Sequence, residues 1–246
     1  MTQPYEGRTA LVTGASVGIG RAIAEELLEQ GAHVLAVSRR PTGIDHPRLT
    51  DLCADLSDPA ATAALADTLR ARGDVDILVN NAGIVRNTPL EDVSEQEFDT
   101  FVNLHMRAAL LLAQAVVPGM KTRGFGRIVN MSTRAIVGLQ NRTVYAGTKA
   151  ALIAMTRTWA LEFGPFGVTV NAIAPGPVLT DMLTADFPEE SEKAAKLAAS
   201  LPTRRLGRAD DIQRATLFFT DPRNSWVTGQ TLFVCGGASL GASVAL

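Results

Sequence analysis

Tyr145 and Lys149, in the stretch YAGTK, are the two residues whose types and spacing could most directly do chemistry. On a helix, positions i and i+4 share a face, so the phenol and the ammonium would point into the same space. A phenol with its ordinary pKa of about 10 is a poor base at neutral pH, but a nearby ammonium favours the phenolate. We therefore expect Tyr145 to exchange a proton with a substrate oxygen while Lys149 lowers its pKa. Taken alone, the stretch would better suit an exposed helix start, and the other motifs of the chain decide for the chemical role.

A glycine-rich turn, TGASVGIG at 13–20, lies between an apolar run and a segment with helical spacing. Its glycines at 14, 18 and 20 permit a tight turn and a close approach of the backbone to a ligand. The N-terminus of the following helix offers free N–H groups and a partial positive charge. The turn therefore predicts a pyrophosphate site, and the alternative is a strand-to-helix turn without a ligand.

The sequence AVSRR at 36–40 follows the turn at the distance where an NAD-specific pocket places a carboxylate for the ribose 2′-OH. Ser38 stands there instead, with Arg39 and Arg40 behind it. A hydroxyl and a guanidinium can bind a 2′-phosphate, which a carboxylate would repel. We therefore predict NADP(H), with solvated arginines as the alternative.

Near-continuous apolar runs alternate with segments of helical spacing, which predicts a parallel sheet with helices on both faces. The runs are 9–13, 33–38, 49–54, 76–81, 126–131, 168–174 and 231–236. The helical segments are roughly 18–30, 57–72, 94–121, 147–163 and 209–220. The predicted fold is therefore a single α/β domain over 1–246, a Rossmann-like, doubly wound parallel sheet of about seven strands. A polar, Ala- and Lys-rich segment at about 181–205 is predicted to be a substrate lid.

The net charge of −2 and the pI near 5.9 give no basic surface for nucleic acid or an anionic membrane, so we expect a small-molecule substrate. No signal-peptide pattern begins the sequence, and no apolar run approaches the ~18 residues of a membrane span. Cys53 and Cys235 both lie in apolar, strand-like runs. The histidines lack the spacing of a metal site. A cytoplasmic protein without a metal is the simplest interpretation.

Several motifs occur together in one order: TGASVGIG, NNAG at 80–83, Asn103, a serine near 132, YAGTK, and PGPVLT at 175–180. In this combination the chain resembles the short-chain dehydrogenase/reductase family over nearly its whole length. The resemblance implies hydride transfer between NADP(H) and a ketone or secondary alcohol, with Tyr145 as the proton donor. It leaves open 3-oxoacyl thioesters, sugars, steroids and small ketones as substrates.

The resemblance also implies roles for individual residues. The catalytic set is Asn103, Ser132, Tyr145 and Lys149. Asn103 would help to hold a water chain that leads to Lys149, and a hydroxyl would polarise the substrate carbonyl. Ser132 has the usual family separation of 13 residues from Tyr145, whereas counting forward from GRIVN points to Thr133. We predict Ser132 and leave Thr133 open.

The cofactor-binding residues that the turn, the AVSRR segment and the resemblance indicate together extend along most of the chain. They are Gly14, Ser16, Gly18, Ile19, Gly20, Ser38, Arg39, Arg40, Asp55, Asn81, Ala82, Gly83, Tyr145, Lys149, Pro175, Gly176, Val178 and Thr180. Asp55 would lie near the adenine, Asn81 would face the cofactor, and Thr180 would bond the nicotinamide carboxamide.

Three further hypotheses follow. Arg134 and Arg142 lie in the loop between the hydroxyl and Tyr145, where they could attract an acidic substrate or simply be solvated. Segments 106–120 and 150–163 are more apolar than one sheet face requires, and the resemblance implies that they pair across a two-fold axis in a homotetramer or homodimer. A catalytically silent NADP(H)-binding regulatory or scaffold protein is the rival function, which the presence of Ser132, Tyr145 and Lys149 disfavours.

Overall fold

A seven-stranded parallel sheet forms the centre of the computed structural model, which describes residues 3–180 and 191–241. The spatial order is β3-β2-β1-β4-β5-β6-β7. The strands are β1 Thr9–Thr13, β2 His33–Ser38, β3 Leu49–Cys53, β4 Ile77–Asn80, β5 Gly126–Met131, β6 Val168–Pro175 and β7 Thr231–Val234. The predicted Rossmann-like fold class is confirmed.

Helices cover both faces of this sheet. They are α1 Gly18–Glu29, α2 Pro59–Arg72, α3 Glu95–Phe101, α4 Ala108–Arg123, α5 Thr143–Phe163, α6 Glu192–Ser200 and α7 Ala209–Thr220. A π-helical segment, Val102–Arg107, joins α3 to α4 without a break, so the predicted helix over 94–121 is one continuous element. By length and composition alone this element, Glu95–Arg123, could cross a membrane. Half of its most apolar stretch (50%) is buried inside the protein, as in a core helix.

Two apolar cores lie on opposite faces of the sheet because strand side chains alternate in direction. Leu11 of β1 points to the face covered by α2, α4 and α5. Its neighbours Ala10 and Val12 point to the face covered by α1 and α7. This two-sided burial explains why the inner strands have near-continuous apolar sequences.

The outer strands differ from the prediction that every strand is covered on both faces. β3 is an edge strand with no fully buried residue, and Cys53 at its end is exposed. Leu232 and Phe233 of β7, the other edge, are also exposed. Both cysteines are free thiols. Cys235 is buried, as its apolar surroundings in the sequence suggest, whereas Cys53 is not. The difference arises because an edge strand has a neighbour on one side only.

The predicted helix over 147–163 begins earlier than expected, and the segment after β6 contains a further helix. α5 begins at Thr143, four residues before the predicted start, so Tyr145 lies inside the helix on its first turn. The stretch 175–207 contains α6, which begins at an N-cap serine, Ser191, whose hydroxyl accepts a hydrogen bond from the Ala194 N–H. Of the predicted lid, residues 181–190 lie outside the described residues.

Candidate active site

A cavity of about 910 Å³ opens at the carboxyl ends of the strands, where β1 pairs with both β2 and β4. The order in which successive strands are added to the sheet reverses at this point, and open α/β sheets bind ligands at such positions. Most of the predicted cofactor residues line the cavity: Gly14, Ser16, Gly18, Ile19, Ser38, Arg39, Asp55, Asn81, Ala82, Gly83, Tyr145, Lys149, Pro175, Gly176, Val178 and Thr180. Gly20, Arg40 and Asn103 do not line it.

The glycine turn is built so that backbone faces the cavity. Gly14 has a φ of +69°, and a Cβ placed there would lie 2.9 Å from Asn81 Nδ2 and 3.0 Å from the Ala82 Cα. Gly18, with a φ of +58°, would crowd the Thr180 side chain in the same way. Side chains at 14 and 18 would therefore collide with residues that line the cavity. This shape fits the pyrophosphate of a dinucleotide.

Gly20 has a different role from the one predicted. A Cβ at this position would lie 2.2 Å from the Gly14 carbonyl oxygen and 2.5 Å from Asn81 Nδ2. Gly20 therefore allows α1 to approach the turn and the β4 end closely, and it does not contact the cavity. Asn81 reinforces this junction, because its Nδ2 donates to the carbonyl oxygen of Thr13 at 2.9 Å.

The end of the cavity beside β2 and β3 carries the groups predicted to read the ribose and adenine. Arg39 is exposed and lines the cavity, whereas Arg40 does not line it. The Ser38 hydroxyl donates to the Arg40 carbonyl oxygen at 2.6 Å, which holds this turn in shape. Asp55 accepts from the Ser57 hydroxyl and N–H, and these bonds, with the charge of Arg39, keep the pKa of Asp55 below its ordinary value.

Tyr145 and Lys149 both face the cavity, and the lowering of the Tyr145 pKa by Lys149 stays a prediction. Burial raises the pKa of Tyr145, and the Thr133 side-chain hydrogen bond and the charge of Arg142 oppose the rise. Lys149 Nζ donates to the Met131 carbonyl oxygen at 2.7 Å. Burial lowers the pKa of Lys149 to about 8. In this structure the phenol is therefore protonated at neutral pH, as a proton donor must be.

Ser132 and Thr133, the two hydroxyls left open by the sequence, make different contacts. Ser132 donates to the Lys149 backbone carbonyl oxygen at 2.8 Å and so ties β5 to α5. The Thr133 side chain lies beside the Tyr145 phenol and lowers the pKa of Tyr145. The Thr133 oxygen accepts from the Ala135 N–H, so its one hydrogen can be directed to the phenol oxygen or to a ligand. The geometry thus favours Thr133 over the predicted Ser132 at the reacting centre.

Asn103 lies in the π segment, and its side chain is directed away from the cavity. Its Oδ1 accepts from Arg107 at 2.6 Å, and its backbone carbonyl accepts from the Ala108 N–H. The residues that reach the cavity from this helix are Thr100 and Leu104. The role predicted for Asn103 remains a prediction.

His105, also in the π segment, is buried between the Gly83 loop and α5. Its Nε2 accepts from the Ile84 N–H at 3.2 Å, so its Nδ1 carries the hydrogen and donates to the Thr148 hydroxyl at 2.9 Å. Its ring contacts the ring of Tyr145 edge to face, with centroids 5.8 Å apart. Burial, with the charge of Lys149, lowers the pKa of His105 to about 2, so the ring is neutral. The ring therefore joins the backbone at Ile84 to α5.

The comparisons with known proteins agree with the class that the glycine turn and the Tyr–Lys helix define, the nicotinamide-dependent oxidoreductases. A family model described as Enoyl-(Acyl carrier protein) reductase matches residues 14–239. The chain belongs to the short-chain dehydrogenase/reductase family and is an oxidoreductase.

Curated relatives at similar identity act on different compounds. The chain is 38% identical over 245 residues to the (2S)-[(R)-hydroxy(phenyl)methyl]succinyl-CoA dehydrogenase subunit BbsD of Thauera aromatica, covering 96% of this chain and 98% of that protein. It is 37% identical to a 3-oxoacyl-[acyl-carrier-protein] reductase of Salmonella typhimurium (95% and 98%). It is 39% identical to the L-xylulose reductase of Mesocricetus auratus (94% and 96%).

Two solved structures carry NADP. One is a gluconate 5-dehydrogenase candidate from Beutenbergia cavernae, 36% identical with a TM-score of 0.89, covering 98% of this chain and 100% of that one. The other is a 3-oxoacyl (acyl-carrier-protein) reductase from Agrobacterium tumefaciens C58, 31% identical with a TM-score of 0.88 and 96% coverage of both chains. Their similarity confirms the fold.

Proposed function

We propose that this protein is an NADPH-dependent carbonyl reductase, which equally catalyses the reverse oxidation of a secondary alcohol. One observation carries the proposal: Thr133, Tyr145 and Lys149 line the same cavity as the glycine turn. A dinucleotide on the turn would therefore share its cavity with a proton donor and a hydroxyl that can hold a carbonyl oxygen.

A reduced nicotinamide bound in this cavity would supply the hydride for the carbonyl carbon. Tyr145 donates its phenolic proton to the carbonyl oxygen, so the carbonyl gains two electrons and two hydrogens and becomes a secondary alcohol. Because burial raises the pKa of Tyr145, the residue holds that proton at neutral pH. Solvent then returns a proton to the phenolate, and Lys149 and Arg142 are cations of the same cavity that can stabilise it.

In this proposal Thr133 donates a hydrogen bond to the carbonyl oxygen, which is the role that we predicted for Ser132 from the sequence. Ser132 acts instead as a positioning residue, because its hydroxyl holds the backbone of Lys149. Removal of a single hydrogen-bond donor that stabilises developing charge costs about 10²- to 10³-fold in rate. The two substitutions, Thr133→Val and Ser132→Ala, should therefore differ sharply.

Lys149 is suited to hold the nicotinamide ribose. Its ammonium is buried and donates to the Met131 carbonyl oxygen, which leaves other N–H groups of the same nitrogen for a ligand. A Cβ at Gly83 would lie 3.3 Å from Lys149 Nζ. The absence of a side chain at Gly83 therefore keeps the space beside the ammonium open.

The preference for NADPH rests on the absence of a carboxylate at Ser38 and on Arg39 at the edge of the cavity. Asp55 lines the same end of the cavity but makes its hydrogen bonds to Ser57. The two solved structures with bound NADP support this choice by analogy.

A homotetramer or homodimer is part of the proposal. On the segments that the sequence singled out, Leu161 is 81% exposed and Leu110 is 40% exposed. We also propose one domain, located in the cytoplasm, with a lid that includes α6, because Leu197 of α6 lines the cavity. Sedimentation at micromolar concentration tests the assembly, and a 26.1 kDa species alone would contradict it.

The test of the proposed function follows NADPH absorbance at 340 nm with a panel of ketones and oxo acids. The wild type should oxidise NADPH with at least one compound, and Tyr145→Phe should bind NADPH normally but lose turnover by several orders of magnitude. If NADPH binds and no compound separates the two proteins, the silent regulatory function is favoured instead.

A further inference from the structure

The end of the cavity beside Thr133 and Tyr145 has an unusual balance of charge. Three guanidinium groups line it, those of Arg86, Arg134 and Arg142. Among the described residues, the single carboxylate that lines the cavity is Asp55, and it lies at the opposite, adenine end. The substrate end is therefore cationic although the whole chain has a net charge of −2.

Arg134 is the best placed of the three for a ligand. It follows Thr133 directly, so its backbone is fixed next to the hydroxyl proposed to hold the carbonyl oxygen. Its side chain is only partly exposed and, within the described part of the chain, forms no hydrogen bond or ion pair. A planar guanidinium with its five N–H donors available suits a carboxylate, which it can bind through two parallel hydrogen bonds.

Arg142 is a second cation beside the reacting centre. It is the residue just before α5, three positions ahead of Tyr145, and its charge acts on the phenol. Arg86 pairs with Glu97 at 3.7 Å. The loop between β5 and α5 thus places both Arg134 and Arg142 on the wall of the cavity.

We propose that the substrate is an oxo acid, a compound whose reducible carbonyl lies within a few bonds of a carboxylate, and that Arg134 and Arg142 bind this carboxylate. The inference rests on the proposed carbonyl reductase function and names its substrate class. A neutral ketone would leave the Arg134 guanidinium without an anionic partner, whereas a carboxylate there supplies one.

The same arrangement favours reduction. A carboxylate bound to Arg142 offsets the cationic charge that lowers the pKa of Tyr145, so the phenol keeps its proton in the substrate complex. Charge recognition and proton donation therefore support each other at one site.

The experiment compares straight-chain 2-, 3-, 4- and 5-oxo acids with their methyl esters under NADPH. The acid-to-ester ratio of kcat/KM should exceed about 10 for at least one chain length and should fall about 10- to 100-fold in Arg134→Gln and Arg142→Gln. Arg157→Gln is the matched control, because Arg157 is exposed on α5 and does not line the cavity. Higher salt should raise KM for the acid and leave the ester unchanged.

Binding provides a second readout that does not need turnover. Titration of the Tyr145→Phe·NADPH complex with each acid and ester measures affinity alone. Tighter binding of the acid, lost in the Arg134→Gln form of that complex, supports the inference even if the proposed reduction fails. Reduction of esters as efficiently as acids, or equal affinity for both, overturns the inference and leaves the carbonyl reductase function intact. Dihydroxyacetone phosphate and dihydroxyacetone are compared in the same way to test for recognition of a phosphate. A preference for the phosphate, without a preference for the oxo acids over their esters, would also overturn the inference.

Discussion

The hydroxyl of Ser132 lies 2.8 Å from the backbone carbonyl oxygen of Lys149 and donates its hydrogen there. A hydroxyl used in this way supports a helix and is not available to a substrate. Its neighbour Thr133 lies beside the Tyr145 phenol and lowers the pKa of Tyr145. Two adjacent hydroxyls therefore face different partners, a helix backbone and a phenol.

The first prediction contrasts these neighbours. Thr133→Val should lower kcat/KM about 10²- to 10³-fold because it removes the donor to the carbonyl oxygen, whereas Thr133→Ser should retain most activity. Ser132→Ala should lower the free energy of unfolding by about 1 kcal/mol and change kcat/KM much less. Steady-state kinetics and urea unfolding check both effects. A large loss of kcat/KM in Ser132→Ala alone would show that Ser132, and not Thr133, donates to the substrate carbonyl oxygen.

Arg39 provides the second prediction, on the choice of coenzyme. Arg39→Gln should lower kcat/KM for NADPH about 10- to 100-fold and leave the value for NADH unchanged, because only NADPH carries the 2′-phosphate. Arg40→Gln is the matched control, since Arg40 does not line the cavity. Kinetics with both coenzymes in the three proteins measure the effect. Equal losses in the two variants would contradict the assignment.

The third prediction concerns His105 and acid stability. Its pKa is about 2 in the folded protein and about 6.5 when unfolded, so between these values the unfolded chain binds more protons. Stability is therefore complete above pH 6.5 and falls below it, by up to about 1.4 kcal/mol per pH unit from this residue. His105→Gln should flatten the slope of unfolding free energy between pH 7 and 5.

Urea midpoints at the two pH values, with His33→Gln as the exposed control, measure that slope. If His105→Gln and the wild type lose stability in parallel as the pH falls, the buried ring is not the acid-sensitive group.

Glycine substitutions give the fourth prediction. A Cβ at Gly20 would lie 2.2 Å from the Gly14 carbonyl oxygen, which belongs to the backbone and cannot move aside cheaply. Gly20→Ala should therefore cost about 1–3 kcal/mol of stability and weaken NADPH binding. Gly147, inside α5, has nothing within 4 Å of the position that an added methyl group would take.

The matched variant, Gly147→Ala, should stabilise the protein by about 0.5–1 kcal/mol through the lower entropy of the unfolded chain and better helix propensity. Thermal unfolding of both variants checks the sign. Destabilisation of the same size at both positions would show that helix strain, and not the contact with Gly14, is responsible.

The fold could be predicted from the sequence because its signals are local. Two-sided burial makes inner strands such as β1 and β5 apolar throughout, and the glycine turn sits where a strand gives way to a helix. The exposure of Cys53 could not be predicted, because the sequence of β3 does not reveal that it lies at the edge of the sheet.

The site was predictable where spacing alone fixes geometry, as for Tyr145 and Lys149 on one helix. It was not predictable where geometry depends on loop length or on an irregular backbone. The length of the loop between β5 and α5 decides between Ser132 and Thr133. The Lys149 side chain reaches Met131, a contact between distant segments that no sequence pattern reports.

The π-helical turn at Val102–Arg107 has a consequence for how this enzyme can tolerate change. Each residue advances an α-helix by about 100°, so deleting one residue there would rewind the helix to regular pitch and rotate Glu95–Phe101 against Ala108–Arg123 by about that angle. Phe101, now buried, would swing toward water. Insertions and deletions in this turn should therefore be far less tolerable to evolution than replacements of any single side chain in it.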